Sequence, residues 1–130
     1  MKTKKSIGVW MDHSIARLIE FTIEPMQIRN IESTFTHEIR SESIEKSEKH
    51  MHNKEQGEQL EYYHKILKGI INYDQVLLFG PTDAKNELRT ILKADHAFDN
   101  ITIEILQTDK MSENQLLAFV RKHFAEHQKL

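Results

Sequence analysis

A continuous apolar run, Gln75-Val76-Leu77-Leu78-Phe79, ends at Gly80-Pro81, and a helical pattern begins directly after it. A strand that is apolar at nearly every position is typical of a sheet covered on both faces. Thr82 or Asp83 is placed to cap the following helix, which we expect to run through Ala94. The inner face of this helix is predicted to carry Ala84, Leu88, Ile91 and Leu92. The stretch therefore predicts a buried strand followed by a helix, the unit from which α/β folds are built.

The residues after this unit predict a second strand and a closing helix. Ile101, Ile103 and Ile105 alternate as they do in a strand, and Ser112-Glu113-Asn114-Gln115 is a capping box. Met111 is placed to pack on Leu116 as a hydrophobic staple. The inward face of the last helix is predicted to consist of Leu116, Leu117, Val120 and Phe124. This alternation of strands and helices predicts parallel strands joined by right-handed crossovers.

The residues before the unit predict a meander of three strands and one long helix. Residues 6–11 and 15–21 are β-prone and are separated by Asp12-His13-Ser14, which has the composition of a hairpin turn. A third strand is expected at 26–32, and 35–39 is expected to extend or bend it. Helical spacing then gives an apolar stripe of Leu60, Tyr63, Leu67, Ile70 and Ile71, with Ile66 beside it. The predicted fold class is α/β, with a mixed β-sheet (antiparallel meander, then parallel β-α-β units) and packed helices.

The composition is that of one domain spanning residues 1–130 with almost balanced charge. Its 18 Lys and Arg oppose 20 Asp and Glu, giving a formal net charge of −2. That balance argues against a surface that is basic throughout, and no DNA partner is expected. The absence of cysteine excludes disulfides, thiolate zinc sites and cysteine nucleophiles. No run approaches the ~18 apolar residues that span a bilayer, and no signal peptide is recognisable. We therefore expect a cytoplasmic location and no membrane partner.

A polar segment at about 40–56 separates the two patterned parts of the chain. Its cations alternate with carboxylates, and its apolar residues are Ile44 and Met51. A segment with so little apolar surface to bury predicts a mobile loop, with a short solvated helix as the alternative.

The strand-to-helix turn is a candidate anion or ligand crevice formed by Gly80, Thr82 and Lys85. A helix that begins at the carboxyl end of a buried strand points free N–H groups toward such a crevice. Asp83 opposes an anion there, and the glycine spacing of a phosphate loop is absent. A capped tight turn is therefore the alternative interpretation.

The polar segment and the start of the long helix supply candidate RNA contacts. Cations and imidazoles can meet phosphates, and an aromatic ring can stack on a base. The candidates are Lys46, Lys49, His50, His52, Lys54, Gln56, Tyr62 and Lys65. Because Tyr63 belongs to the apolar stripe, Tyr62 is the expected stacking ring.

No metal, cofactor or catalytic residue is predicted. His50, His52 and His64 have a spacing that a metal could use, but the sequence fixes no further ligand. Asp12 and His13 resemble an acid–base pair without a nucleophile nearby. The strand-end carboxylates of Asp12, Asp74, Asp83 and Asp109 could hold Mg²⁺ only if they converge, and each also fits a turn or a cap.

Several motifs together resemble one known family. They are Ile7-Gly8-Val9-Trp10-Met11-Asp12-His13-Ser14-Ile15-Ala16-Arg17, Val76-Leu77-Leu78-Phe79-Gly80-Pro81-Thr82-Asp83-Ala84-Lys85-Asn86-Glu87-Leu88, Thr108-Asp109-Lys110-Met111-Ser112-Glu113-Asn114-Gln115-Leu116 and Val120-Arg121-Lys122-His123-Phe124. Their combination is similar to small stand-alone bacterial proteins related to the middle domain of archaeal and eukaryotic peptide-release factors and of Pelota. The motifs cover most of the chain.

This resemblance implies a ribonuclease-H-like topology and a connection with the translation machinery. Release factors of this kind promote peptidyl-tRNA hydrolysis with a Gly-Gly-Gln tripeptide located between the meander and the long helix. The corresponding residues here read Asn53-Lys54-Glu55-Gln56-Gly57-Glu58-Gln59 and contain no Gly-Gly-Gln. The hydrolytic activity is therefore not carried over, nor are the flanking domains that read a codon or recruit a GTPase.

These observations favour a non-catalytic, translation-associated protein that contacts the ribosome or tRNA through residues 40–59 and the following helix face. A protein–protein adaptor or a homo-oligomer is the first alternative. It would expose an apolar patch, for which Trp10, Phe35 and Phe98 are candidates, or an unpaired edge strand in the meander. A metal-assisted hydrolase is the second alternative, and it would require the strand-end carboxylates to converge.

Overall fold

The structure is a computed structural model that describes residues 5–22, 26–33 and 48–127, without the side chains of 48–56, 58 and 127. In the described part, the elements follow the predicted order. They are β1 (Ser6–Met11), β2 (Ile15–Glu20), β3 (Ile28–Glu32), α1 (Glu48–Ile70), β4 (Gln75–Gly80), α2 (Ala84–Lys93), a 3₁₀ turn (His96–Phe98), β5 (Thr102–Gln107) and α3 (Glu113–His127). The predicted extension of the third strand at 35–39 lies outside the described residues.

The described strands form one mixed sheet in the order β3-β2-β1-β4-β5. β1 pairs antiparallel with β2, and β2 pairs antiparallel with β3, as the meander predicts. β4 lies parallel to both β1 and β5, as the β-α-β pattern predicts. The predicted α/β class with a mixed sheet is therefore confirmed.

Helices cover both faces of the sheet. One core cluster joins α1 and α2 to the face that carries Ile7, Val9 and Leu78. The other joins α3 to the opposite face, which carries Trp10, Leu77 and Phe79. Every residue of β1, and every residue of β4 after Gln75, is buried, because these two central strands lie beneath helices on both sides.

The local signals at the ends of elements act as predicted. Asp12 Oδ1 accepts hydrogen bonds from the backbone N–H groups of Ser14 (2.7 Å) and Ile15 (2.8 Å), which fixes the hairpin turn. The capping box of α3 is also present: Ser112 N donates to Gln115 Oε1 (2.9 Å), and Gln115 N donates to Ser112 Oγ (3.3 Å).

The prediction of a loop over residues 40–56 is wrong from residue 48 onward, because α1 begins at Glu48. Residues 40–47 lie outside the described part of the chain. Residues 48–59 are rich in Glu, Lys and Gln, which favour helix even without an apolar stripe. The second half of α1 is packed on the core and already helical, so the polar first half only has to extend an existing helix. Apolar periodicity alone therefore places the start of the helix too late.

Two further expectations about apolar residues are corrected. Leu60 and Ile71, placed on the inner stripe by their spacing, are 49% and 41% exposed. Trp10 and Phe98, candidates for an exposed patch, are buried at 6% and 5% exposure, and Phe35 is outside the described residues. Among the described helices, none is long and apolar enough to cross a membrane.

Candidate functional site

The turn between β4 and α2 is held together by a buried lysine. Lys85 is 1% exposed, and its Nζ donates to Thr82 O (2.5 Å) and Gln107 Oε1 (2.7 Å). Gln107 Nε2 in turn donates to Pro81 O (3.0 Å). Thr82 Oγ1 accepts a bond from Ala84 N (3.2 Å), while Asp83 makes no side-chain bond to the end of the helix. These are the bonds of a capped turn, the alternative that the sequence left open, and the buried Lys85 ammonium is directed at Thr82 O and Gln107 Oε1.

A second polar cluster lies where α1 and α2 meet the hairpin turn. Tyr63 donates its hydroxyl to Glu87 Oε1 (2.6 Å), and His13 Nε2 lies 3.2 Å from Glu87 Oε2. Tyr62 donates to the backbone oxygen of Asp12 (2.9 Å). Tyr62 is only 1% exposed, so it is a structural anchor and not the free stacking ring that the sequence predicts. The spacing of apolar residues could not reveal this, because the partner lies about fifty residues away.

Three of the four strand-end carboxylates serve separate turns. Asp12 holds the hairpin turn, Asp74 Oδ2 accepts a bond from Lys5 N (2.8 Å), and Asp83 Oδ1 accepts one from Asn86 Nδ2 (3.2 Å). Within residues 5–22, 26–33 and 48–127, no three His, Asp or Glu side chains are grouped to hold a metal ion.

The candidate RNA contacts fall into three groups. Lys46 lies outside the described residues. Lys49, His50, His52, Lys54 and Gln56 lie on the first half of α1, where the backbone is described as helix but the side chains are not. Lys65 is 43% exposed on the second half, with its Nζ 3.9 Å from Glu61 Oε1.

The first half of α1 extends beyond the point at which this helix contacts the turn between β1 and β2. Gln59 Nε2 lies 3.4 Å from His13 O, and Tyr62 bonds to Asp12 in the same turn. At ~1.5 Å per residue, residues 48–58 add about 16 Å of helix before that junction. Most of the candidate cations therefore lie on this preceding length of helix.

Two open grooves lie on opposite sides of the molecule. One, of about 450 Å³, runs between α1 and α2 and is lined by Gln59, Leu60, Tyr63, Glu87, Thr90 and Ile91. The other, of about 530 Å³, lies beside α3 and the loop that precedes it, and Lys110, Phe119 and Lys122 are among its lining residues. Neither groove was expected from the sequence, because each joins residues whose proximity depends on helix packing.

All three tyrosines of the chain are expected to resist ionisation. Burial raises the pKa of Tyr62 and Tyr63 well above the ordinary value, with further contributions from Asp12 and Glu87 respectively. Burial and the bond to Glu20 raise the pKa of Tyr73 to about 12. In the unfolded chain, each should ionise near pH ~10.

We therefore expect little tyrosinate absorbance at 295 nm in the native protein at pH 10.5, about half a unit above the ordinary tyrosine pKa. A chain unfolded in urea should absorb strongly at the same pH. Since the folded pKa values are the higher ones, the tyrosine contribution to stability is present below pH ~10 and is lost as the pH rises above it. A native titration with a midpoint near pH ~10 would contradict this expectation.

Comparison with known proteins identifies the fold. No protein-family model matches the chain. No curated protein matches its sequence. Among solved structures, Archaeoglobus fulgidus Pelota matches with a TM-score of 0.63 at 7% identity, covering 97% of this chain and 33% of that one. Thermoplasma acidophilum Pelota matches with a TM-score of 0.59 at 15% identity, covering 90% and 32%. The archaeal translation termination factor aRF1 matches with a TM-score of 0.59 at 10% identity, covering 95% and 38%.

The chain thus spans about a third of the length of these proteins, and nearly all of it takes part in each match. At these identities, what is shared is the fold. The structural likeness to Pelota and release factors that the sequence motifs predicted is confirmed at that level.

Proposed function

We propose that this protein is a non-catalytic, translation-associated domain of the cytoplasm that contacts the ribosome or tRNA. The observation that carries the proposal is the likeness of nearly the whole chain to parts of two Pelota proteins and a translation termination factor. The strand order β3-β2-β1-β4-β5, with an antiparallel meander beside parallel strands, also agrees with the proposed ribonuclease-H-like topology.

The first half of α1 and the residues before it form the proposed contact surface. This region follows the meander and precedes the buried part of α1, the position at which the resemblance places the release-factor tripeptide. It contains Lys46, Lys49 and Lys54 with the imidazoles of His50 and His52. Carboxylates alternate with these cations, so the surface is suited to salt-sensitive contact with phosphates and not to tight binding.

The sequence and the helical conformation of this region argue against hydrolytic activity. Residues 53–59 belong to α1, and Gly57 is followed by Glu58 where the tripeptide would need a second glycine. In a continuous helix the backbone dihedrals are fixed, so these residues lack the conformational freedom that paired glycines provide. We therefore propose binding without stimulation of peptidyl-tRNA hydrolysis.

Co-sedimentation with ribosomes at about 50 and about 200 mM salt tests this proposal. The wild-type chain is expected to pellet with ribosomes at the lower salt and to be released progressively at the higher. Replacing Lys49 and Lys54 together by alanine should reduce the bound fraction by roughly fivefold or more, because two phosphate contacts are lost.

The matched control is the pair Arg89→Ala and Lys93→Ala, which removes the same charge from exposed positions of α2. This control should bind as the wild type does. Absence of the wild-type chain from ribosomal fractions at both salt concentrations would refute the proposed function. Equal losses in the two double variants would instead refute the assignment of the surface to α1.

A further inference from the structure

The groove beside α3 has an aromatic floor that rests on the core. Phe119 lines the groove, and one side of its ring lies over Phe79, with centroids 4.8 Å apart and ring planes at 28°. Phe79 is fully buried in the central strand β4. The stack holds the Phe119 ring in place, so the surface that Phe119 turns to the groove is fixed before any ligand arrives. A preordered aromatic surface of this kind loses little conformational entropy on binding.

Two lysines border this floor. Lys110 lies in the loop before α3, and Lys122 lies one helical turn after Phe119 on the same side of the helix. Neither ammonium group forms an ion pair or hydrogen bond with another residue in the described part of the chain. Asp109 is the carboxylate that lines the groove with them, so the lining carries a net positive charge.

We propose that this groove binds single-stranded RNA, with a base stacked on Phe119 and the neighbouring phosphates bound by Lys110 and Lys122. An aromatic ring flanked by cations is the arrangement by which proteins hold unpaired nucleotides without sequence preference. The volume of about 530 Å³ accommodates a nucleotide, and the groove is open to solvent, so a bound nucleotide can continue into a longer strand. The choice of RNA as the polymer rests on the proposed function, whereas the stacking site itself rests on the geometry.

The sequence interpretation located the stacking ring on the wrong helix. The sequence favours Tyr62 because its neighbour Tyr63 belongs to the apolar stripe, yet Tyr62 is itself buried beneath the hairpin turn. Phe119 lies three residues after Leu116, which belongs to the predicted inner face of α3, and therefore resembles a core residue in the sequence. Its position at the margin of that face becomes apparent only when α3 is packed on β4.

Fluorescence anisotropy of a 5′-fluorescein-labelled octa-adenylate RNA, titrated with the full chain, tests the proposal. We expect Phe119→Leu to weaken binding roughly tenfold, because the stacking surface is lost. Lys122→Gln and Lys110→Gln should each weaken binding and each lower the slope of log K against log salt by about 0.7. Arg121→Gln is the matched control, since it removes one positive charge from an exposed neighbour outside the groove lining.

Circular dichroism of Phe119→Leu shows whether the loss of the ring stack affects folding. The two lysine variants are at the surface and keep the test decisive even if that variant unfolds. Unchanged affinity in the lysine variants, or equal losses in Lys122→Gln and Arg121→Gln, would overturn the proposal. So would a folded Phe119→Leu protein with wild-type affinity, since the contact would then be electrostatic alone, as for any acidic polymer.

Failure of this site and failure of the proposed function give different results. If the site is absent, the oligonucleotide affinity does not depend on the groove, while ribosome co-sedimentation still depends on Lys49 and Lys54. If the translation role is wrong, ribosome co-sedimentation is absent, while groove-dependent binding of the octa-adenylate RNA still supports the site.

Discussion

Replacing Gly80 by alanine is expected to destabilise the protein by about 3–5 kcal/mol, enough to unfold much of the population in a marginally stable domain. Gly80 has a φ of +147°, a conformation that residues with a Cβ rarely adopt. A Cβ built on Gly80 would also overlap the backbone oxygen of Met11 in the neighbouring strand β1. Because β1 and β4 are paired at the centre of the sheet, neither backbone can move away without breaking ladder hydrogen bonds. Urea denaturation followed by circular dichroism measures the loss.

Gly57→Ala is the matched control for this change. Gly57 lies within α1, and a Cβ there would have no atom of the described structure within 4 Å. Alanine is the better helix former, so this variant is expected to be as stable as the wild type or up to about 1 kcal/mol more stable. A Gly80→Ala protein with wild-type stability would mean that the turn after β4 does not have the conformation described here.

Replacing Lys85 by methionine is expected to cost about 1–3 kcal/mol of stability. Methionine keeps most of the aliphatic volume but removes the ammonium group that serves Thr82 O and Gln107 Oε1. Thr82 O belongs to a half-buried residue, and leaving it without this charged donor costs about 1–3 kcal/mol, whereas water can reach the exposed Gln107 amide. The measurement is the free energy of unfolding by chemical denaturation at neutral pH.

Two companion variants separate the bonds of Lys85 from its charge. Lys93→Met removes a lysine from the exposed end of the same helix and should change stability by less than about 0.5 kcal/mol. Adding Gln107→Leu to Lys85→Met removes one of the stranded acceptors, so the two changes together should cost less than the sum of their separate effects. Strict additivity would show that the bond between Lys85 and Gln107 contributes nothing, and a Lys85→Met protein as stable as the Lys93→Met control would show that neither bond of Lys85 does.

Much of the fold could be predicted from the sequence, because its decisive signals are local. The turn at Asp12 and the capping box at Ser112 each satisfy backbone groups within a few residues, so their chemistry is readable without the fold. The apolar run before Gly80 likewise indicates a strand covered on both faces. Right-handed crossovers then limit how the parallel strands can be connected, and the predicted order of elements follows.

The start of α1 was misplaced for a physical reason. Its polar half has favourable helix propensity but buries no recognisable stripe, so its extension depends on the anchored half from Gln59 to Ile70. The candidate site is harder to predict, because the sequence indicates the exposure of a polar side chain only through its neighbours in the chain. Tyr62 and Lys85 are polar in composition yet buried, because each bonds to an acceptor that the fold brings near.

The sequence by itself determined the element types, their order and the capped turns, because these depend on periodicity and on bonds between residues a few positions apart. Tertiary structure alone decided which polar groups are anchors and which face solvent. It buried Tyr62 and Lys85 against distant backbone and side-chain oxygens, and it stacked Phe119 on Phe79 beside Lys110 and Lys122. Such contacts join residues far apart in the chain, and their energies depend on packing geometry that no local pattern records.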